Sequence, residues 1–145
     1  MKLNSYIIPF LFFILNILFR WVAIEFNSLA GDEPFSVYYA QMDITDIVRH
    51  LKSGNNPPLY EIFLHYWTHW FGIGVVAVRI PSLIFTALTA TYIFKLGNEF
   101  FSKAVGITSA FTYTLSNYAT LFSHEARVYA LFGLLTILSF YFFLR

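Results

Sequence analysis

Four long apolar stretches dominate the chain, and its polar residues collect in the gaps between them. A helix that crosses a bilayer needs about 20 mainly apolar residues. Residues 6–24, 79–97, 104–122 and 128–144 come close. The first is interrupted by Asn16 and Arg20, one helical turn apart, and these are expected to face a bundle interior, with snorkelling of Arg20 as the alternative. The second is opened by Arg79-Ile80-Pro81 and carries Lys95 near its end. The third holds Ser, Thr, Asn and Tyr but no charge, and the fourth is followed by Arg145. Basic residues in short loops mark the cytoplasmic side. Lys2, Lys95, Lys103 and Arg145 then put both termini and the second-to-third connection inside. The long 25–78 segment and the 123–127 turn fall outside.

Two shorter patterns lie within the outer segment. Ile44, Ile47, Val48 and Leu51 recur at helical spacing and predict a helix over Asp43 to Lys52, ended by Ser53-Gly54-Asn55-Asn56. Pro58 to Gly72 predicts a second. At 1.5 Å per residue it reaches about 22 Å, short of a hydrocarbon core of about 30 Å. Glu61, His65 and His69 recur at i, i+4 and i+8 and form one polar stripe. It reads as an amphipathic helix on the outer surface, with Tyr66, Trp67 and Trp70 among the headgroups. Ser28-Leu29-Ala30 has the small-x-small pattern of a cleavage site, but the preceding apolar run is long and Arg20, Glu25 and Asn27 intervene, which favours a retained span. The expected fold is all-α: a polytopic membrane bundle of about four spans, with amphipathic juxtamembrane helices in the first outer loop, the whole of 1–145 forming one unit.

Composition agrees. Hydrophobic residues make up 58% and charged residues 12%, against about a quarter charged in soluble domains. A net charge of +1 without a basic stripe excludes nucleic acid as a partner. There is no cysteine, so thiol chemistry, disulfides and Cys-based metal sites are excluded.

Candidate chemistry sits in two polar motifs on the outer side. In Gly31-Asp32-Glu33-Pro34, the glycine frees the backbone and the proline suits a first helical turn. Asp32 reads either as a helix N-cap or as a base that takes a proton from an incoming hydroxyl or amine. Adjacent residues do not share a helix face, so one acid acts as base while the other holds structure, binds an acceptor or ligates an ion. In Ser123-His124-Glu125-Ala126-Arg127, the arginine fork suits a lipid-linked phosphate. A headgroup-anchoring Arg127 paired with Glu125 is the alternative. Glu61, His65 and His69 have helical metal-ligand spacing, which leaves a divalent metal ion open, although the set falls short of a full ligand shell. No Gly-rich nucleotide cradle is present.

Taken in order, Asp32-Glu33, Pro57-Pro58-Leu59-Tyr60, Arg79-Ile80-Pro81-Ser82 and Ser123-His124-Glu125-Ala126-Arg127-Val128-Tyr129 resemble the N-terminal part of GT-C class membrane glycosyltransferases. Within that class the motifs resemble family 39, the protein-mannosyltransferase-like enzymes that include relatives of the aminoarabinose transferase. The resemblance covers nearly the whole chain but only the opening portion of such a protein, so a fragment or a truncated, inactive copy is expected. It implies an inverting sugar transfer on the outer face of a bacterial inner membrane, from a polyprenyl-phosphate donor to a protein or glycolipid acceptor such as lipid A. It implies Asp32 as base with Glu33 beside it, and Arg127 with Glu125 at the donor phosphate. Tyr60, Arg79, His124 and Tyr129 are supporting residues. Asn56 stands where relatives often carry His before the double proline. A transporter or flippase subunit would place ionisable groups near mid-bilayer, and an inert structural protein is the remaining alternative.

Overall fold

The computed structural model describes residues 4–54 and 56–145, so Lys2 and Asn55 lie outside the described residues. These residues form eight α-helices and no strand. They are α1 (Asn4–Trp21), α2 (Glu33–Tyr39), α3 (Ile44–Leu51), α4 (Leu59–Phe71), α5 (Val75–Phe100), α6 (Lys103–Thr114), α7 (Asn117–Ser123) and α8 (Val128–Leu144).

α5 is the axis. α1, α6 and α8 pack along it, and α4 and α7 meet it nearer one end. All three long neighbours run antiparallel to it. Phe12 stacks on Phe94, with ring centroids 5.7 Å apart. At the Lys95 end Tyr141 donates to Glu99 (2.8 Å) and Arg145 approaches Glu99 at 3.9 Å. Gly97 and Gly106 make the α5–α6 crossing possible: a Cβ on Gly97 would lie 2.7 Å from the Gly106 Cα. The opposite end holds Arg79, α2, α4 and the 123–127 turn around a core of Val37, Tyr60, Leu64, Val78 and Ala126.

Several predicted boundaries hold. α8 covers Val128–Leu144, and α3 and α4 lie within their predicted windows. α5 starts earlier and ends later than 79–97, and α1 stops at Trp21, short of Ile24. The 104–122 stretch is not one helix. It breaks at Leu115–Ser116, where the Ser116 hydroxyl accepts from the Ala119 amide (3.1 Å) and opens α7. Three carbonyls around this break are met from α1. Arg20, 1% exposed, donates to Thr114 O at 2.9 Å and Tyr113 O at 3.4 Å through Nη2, and to Ala119 O at 3.4 Å through Nε. Arg20 also binds the Asn16 amide oxygen, and Asn16 donates to Thr114 Oγ1 (3.0 Å). Arg20 therefore caps a neighbouring helix and does not snorkel.

Pro81 creates a second local demand. Proline has no N–H to donate to the carbonyl four residues back, here Ala77. The indole Nε1 of Trp67 fills that vacancy at 2.7 Å and docks α4 against α5. Trp67 is accordingly half-buried, while Tyr66 and Trp70 are exposed.

Among the described residues one helix, Val75–Phe100, is long and apolar enough to cross a membrane. Its 26 residues extend about 39 Å at 1.5 Å each. The apolar helices Tyr6–Trp21 and Val128–Leu144 are shorter.

Candidate active site

The site begins where α1 ends. Residues after Trp21 turn back through Gly31, whose φ of +58° is left-handed and costs glycine nothing. α2 then starts with Asp32 at its N-cap and Pro34 in its first turn. Successive helical side chains point about 100° apart, so the two acids separate. Glu33 turns inward and is 2% exposed. Asp32 turns outward, with its side chain 70% exposed.

Glu33 is the centre of a clasp. Arg79 grips it through Nε–Oε1 (2.8 Å) and Nη2–Oε2 (2.6 Å), the two-pronged geometry that suits a carboxylate. The amides of Ala126 (2.9 Å) and Ala30 (3.2 Å) donate to the same carboxylate. Burial alone would lift its pKa, but these donors prevail and hold Glu33 below the ordinary carboxylate range. The remaining Arg79 protons go to the carbonyls of Ile24 (2.8 Å), Asn27 (2.9 Å) and Ser28 (3.2 Å). One buried ion pair thus ties the post-α1 loop, α2, α5 and the 123–127 turn together.

Asp32 does something different. Although it occupies the N-cap position, its side chain makes no capping bond. Its carboxylate lies 3.5 Å from Arg127 Nη2. Arg127 opens α8 from an extended conformation. Its guanidinium rests against the rings of Phe35 (5.3 Å) and Tyr129 (5.8 Å). Nη1 donates to Ser36 Oγ at 3.2 Å, and Nε is buried without a partner. The Arg127 side chain is only 6% exposed. The arrangement is an accessible carboxylate lying over a sheltered cation.

Beside the clasp lies a cavity of about 620 Å³, with Asn27, Ser28, Asn117, Tyr118, His124 and Glu125 in its walls. Burial raises the pKa of Glu125, the nearby Glu33 charge adds to the rise, and Arg127 opposes it. Ion pairing at Arg127 involves Asp32 and not Glu125. His124 Nε2 lies 2.6 Å from Arg20 O, fastening the turn to the end of α1. The walls thus present amides, a hydroxyl, a phenol, an imidazole and a carboxyl beside the apolar Ala23, Ala30 and Leu121.

The profile of the dolichyl-phosphate-mannose-protein mannosyltransferase family matches residues 55–145. The chain belongs to this family. Membership makes it a mannosyltransferase-like membrane glycosyltransferase of GT-C type, and the lipid-linked sugar donor and membrane acceptor expected of it follow at that level. Tyr60, Arg79, His124, Glu125, Arg127 and Tyr129 lie inside the matched residues of this mannosyltransferase-family chain, whereas Asp32 and Glu33 precede them. No curated protein and no solved structure matches the chain.

The structure brings Asp32, Glu33, Arg79, Ala126 and Arg127 together from three parts of the mannosyltransferase-family sequence. Tyr60 supports them from beneath, its hydroxyl 3.4 Å from Ser82 Oγ, and burial pushes its phenol upward. The Glu61, His65 and His69 row does not form one open stripe. Glu61 is buried against Ser36 (2.9 Å), His65 Nδ1 meets Ala40 O (3.0 Å), and His69 is exposed. Among the described residues no group of three or more His, Asp or Glu is gathered to share an ion. Two participants escaped sequence reasoning. Ser36 stands one turn after Asp32 and meets both Arg127 and Glu61, and its helical spacing from Asp32 was the available signal. Ala126 contributes through its backbone amide, for which side-chain identity carries no signal.

Proposed function

We propose that this family member transfers a sugar from a polyprenyl-phosphate donor to a hydroxyl or amine of a protein or glycolipid acceptor, with the reaction on the outer face of a bacterial inner membrane. The 3.5 Å approach of Asp32 to Arg127 carries the proposal. Asp32 is the base: it is solvent-accessible and free of capping duty. The acceptor oxygen or nitrogen attacks the anomeric carbon, Asp32 takes its proton, and the bond to the phosphate oxygen breaks in the same displacement, inverting the sugar carbon. The departing phosphate's charge falls to Arg127, a preorganised cation needing no reorganisation during the step. The neighbouring cavity takes the sugar, with Glu125 in its wall facing a sugar or phosphate oxygen.

In this reading four spans cross the bilayer: α1, α5, the broken α6–α7 pair and α8. Lys95 and Arg145 lie at one end of α5 and Asp32, Glu33 and Glu125 at the other, and the orientation proposed puts the Lys95 end in the cytoplasm. Reporter fusions after Ala40, Ile73, Phe100 and Glu125 test it. Signals from the first, second and fourth are expected outside, and from Phe100 inside. A cytoplasmic signal after Glu125 would break the shared face.

The catalytic proposal is tested with the full-length protein in lipid nanodiscs supplied with polyprenyl-phosphate mannose and, separately, a nucleotide sugar. Glycosylated acceptor is expected from the lipid donor alone. Arg127→Ala is expected to slow transfer about 100-fold to 1,000-fold, the scale of removing one preorganised transition-state donor. Wild-type turnover in that variant would remove Arg127 from the mechanism.

A further inference from the structure

Glu61 is a buried acid that the proposed reaction leaves without a task. It is 2% exposed and belongs to the first turn of α4, away from the Glu33–Arg79 clasp. Its Oε1 accepts from Ser36 Oγ at 2.9 Å. The same hydroxyl accepts from Arg127 Nη1 at 3.2 Å. A serine hydroxyl can donate once while accepting, so the two bonds run in series and polarise each other in one sense, from cation to anion. Glu61 Oε2 and Arg127 Nε, one at each end of this relay, are both buried without partners. A carboxylate is carried into an interior only against a cation or donors that compensate its lost hydration. Arg127 is the cation that Glu61 reaches by hydrogen bonds.

The proposed reaction creates a need for such a link. Asp32 is the ion-pair partner of Arg127, at 3.5 Å and largely open to water. Once Asp32 accepts the acceptor's proton it is neutral and its hold on the guanidinium lapses. At that moment the leaving phosphate reaches its full charge and requires the guanidinium in place. We infer that Glu61, acting through the Ser36 hydroxyl, is a positioning residue that keeps Arg127 aimed at the donor phosphate when Asp32 releases it. The inference rests on the sugar-transfer function proposed above. It gives Glu61 an electrostatic role at the phosphate in place of a metal ligand's.

Initial rates of the full-length protein in nanodiscs, measured against polyprenyl-phosphate mannose concentration, test it through Glu61→Gln and Ser36→Ala. The first keeps the shape of the side chain, and the second cuts the relay without touching α4. Both are expected to lower kcat per mole of folded protein about tenfold, the worth of one hydrogen bond to a charged group, with the donor KM within about twofold of wild type, because the aim of Arg127 matters once charge has moved onto the phosphate. Adding Glu61→Gln to Arg127→Ala is expected to cost nothing further, since both changes remove one linked unit. A purely structural Glu61 would reduce the amount of folded protein and leave turnover per folded molecule at the wild-type value, and that result overturns the inference. So does a raised donor KM at wild-type kcat in both variants, which would place the contact in donor binding alone. If Arg127→Ala itself transfers sugar normally, the phosphate role of Arg127 falls and the inference falls with it. If Arg127→Ala is crippled while Glu61→Gln and Ser36→Ala match wild type, only the inference fails.

Discussion

Asp32→Asn is expected to abolish sugar transfer while the protein remains folded in the membrane at its normal level. The substitution keeps the size and the polar oxygen of the side chain and removes only the ability to hold a proton. Little stability is at stake. Asp32 makes no capping bond, and its contact with Arg127 is 3.5 Å long with a side chain 70% exposed. Ion pairs with such an exposed member contribute under about 1 kcal/mol. The loss in rate is much larger, because a positioned base contributes about 100-fold to 10,000-fold. The check is transfer per mole of folded protein from polyprenyl-phosphate mannose, with fluorescence-detected size exclusion reporting the folded fraction. Full turnover in Asp32→Asn would move the base elsewhere in the site.

Arg79→Ala is expected to produce the opposite pattern, a protein that fails to accumulate in folded form. Its neighbour in the clasp, Glu33, would be left as an uncompensated charge at 2% exposure. Breaking one side of a buried pair costs about 3–5 kcal/mol, a large share of the 5–15 kcal/mol that typically holds a protein folded. Three loop carbonyls, on Ile24, Asn27 and Ser28, would lose their donor as well. Glu33→Gln should be destabilised for the complementary reason, and Glu33→Gln with Arg79→Met should recover part of the loss because no lone charge remains. The sign of the pH dependence is fixed by the same contacts. Glu33 has a lowered pKa in the folded protein, so its stabilisation is present above the ordinary carboxylate value of about 4.3 and is lost as pH falls through the lower folded value. Thermal unfolding of the wild type should therefore steepen in its acid dependence below about pH 4, and the double variant should lose that dependence. A melting temperature for Arg79→Ala close to wild type would show that the clasp holds little.

These two outcomes separate adjacent acids. The alternation of helical side chains already requires that Asp32 and Glu33 serve different ends. Which one turns inward depends on Arg79, 46 residues further along the chain, and local pattern carries no trace of that distance. The helices read from periodicity alone behave likewise. α8 and the amphipathic α3 and α4 are set by uninterrupted apolar spacing or by clear stop residues, so their limits were legible. The break at Leu115–Ser116 was not, because no proline or glycine marks it. Ser116 looks like any of the hydroxyl residues scattered through that apolar run, and its capping role exists because Arg20 and Asn16 supply donors from another helix. The bond made by Trp67 was hidden for a related reason. Its aromatic character suits a headgroup layer, and the carbonyl left bare by Pro81, which it meets, lies on another helix. In the candidate site, the charged members announced themselves by type in an apolar chain. Ser36 and the Ala126 amide did not, since their contribution is a bond across the fold.

The partnership of Asn16 and Arg20 with the α6–α7 break also sets an order of events during synthesis. Asn16 lies 98 residues before Thr114 and Arg20 lies 94 residues before it. At about 5–20 residues per second of translation, the leading helix waits roughly 5–20 s with an amide and a guanidinium unsatisfied. On the four-span arrangement that interval is spent at the insertion machinery, with the arginine in the last turn of the helix, where it costs less than the roughly 2.5–3.5 kcal/mol of a mid-helix position. The opening segment is then a late-settling passenger, released into lipid only once its partner emerges from the ribosome.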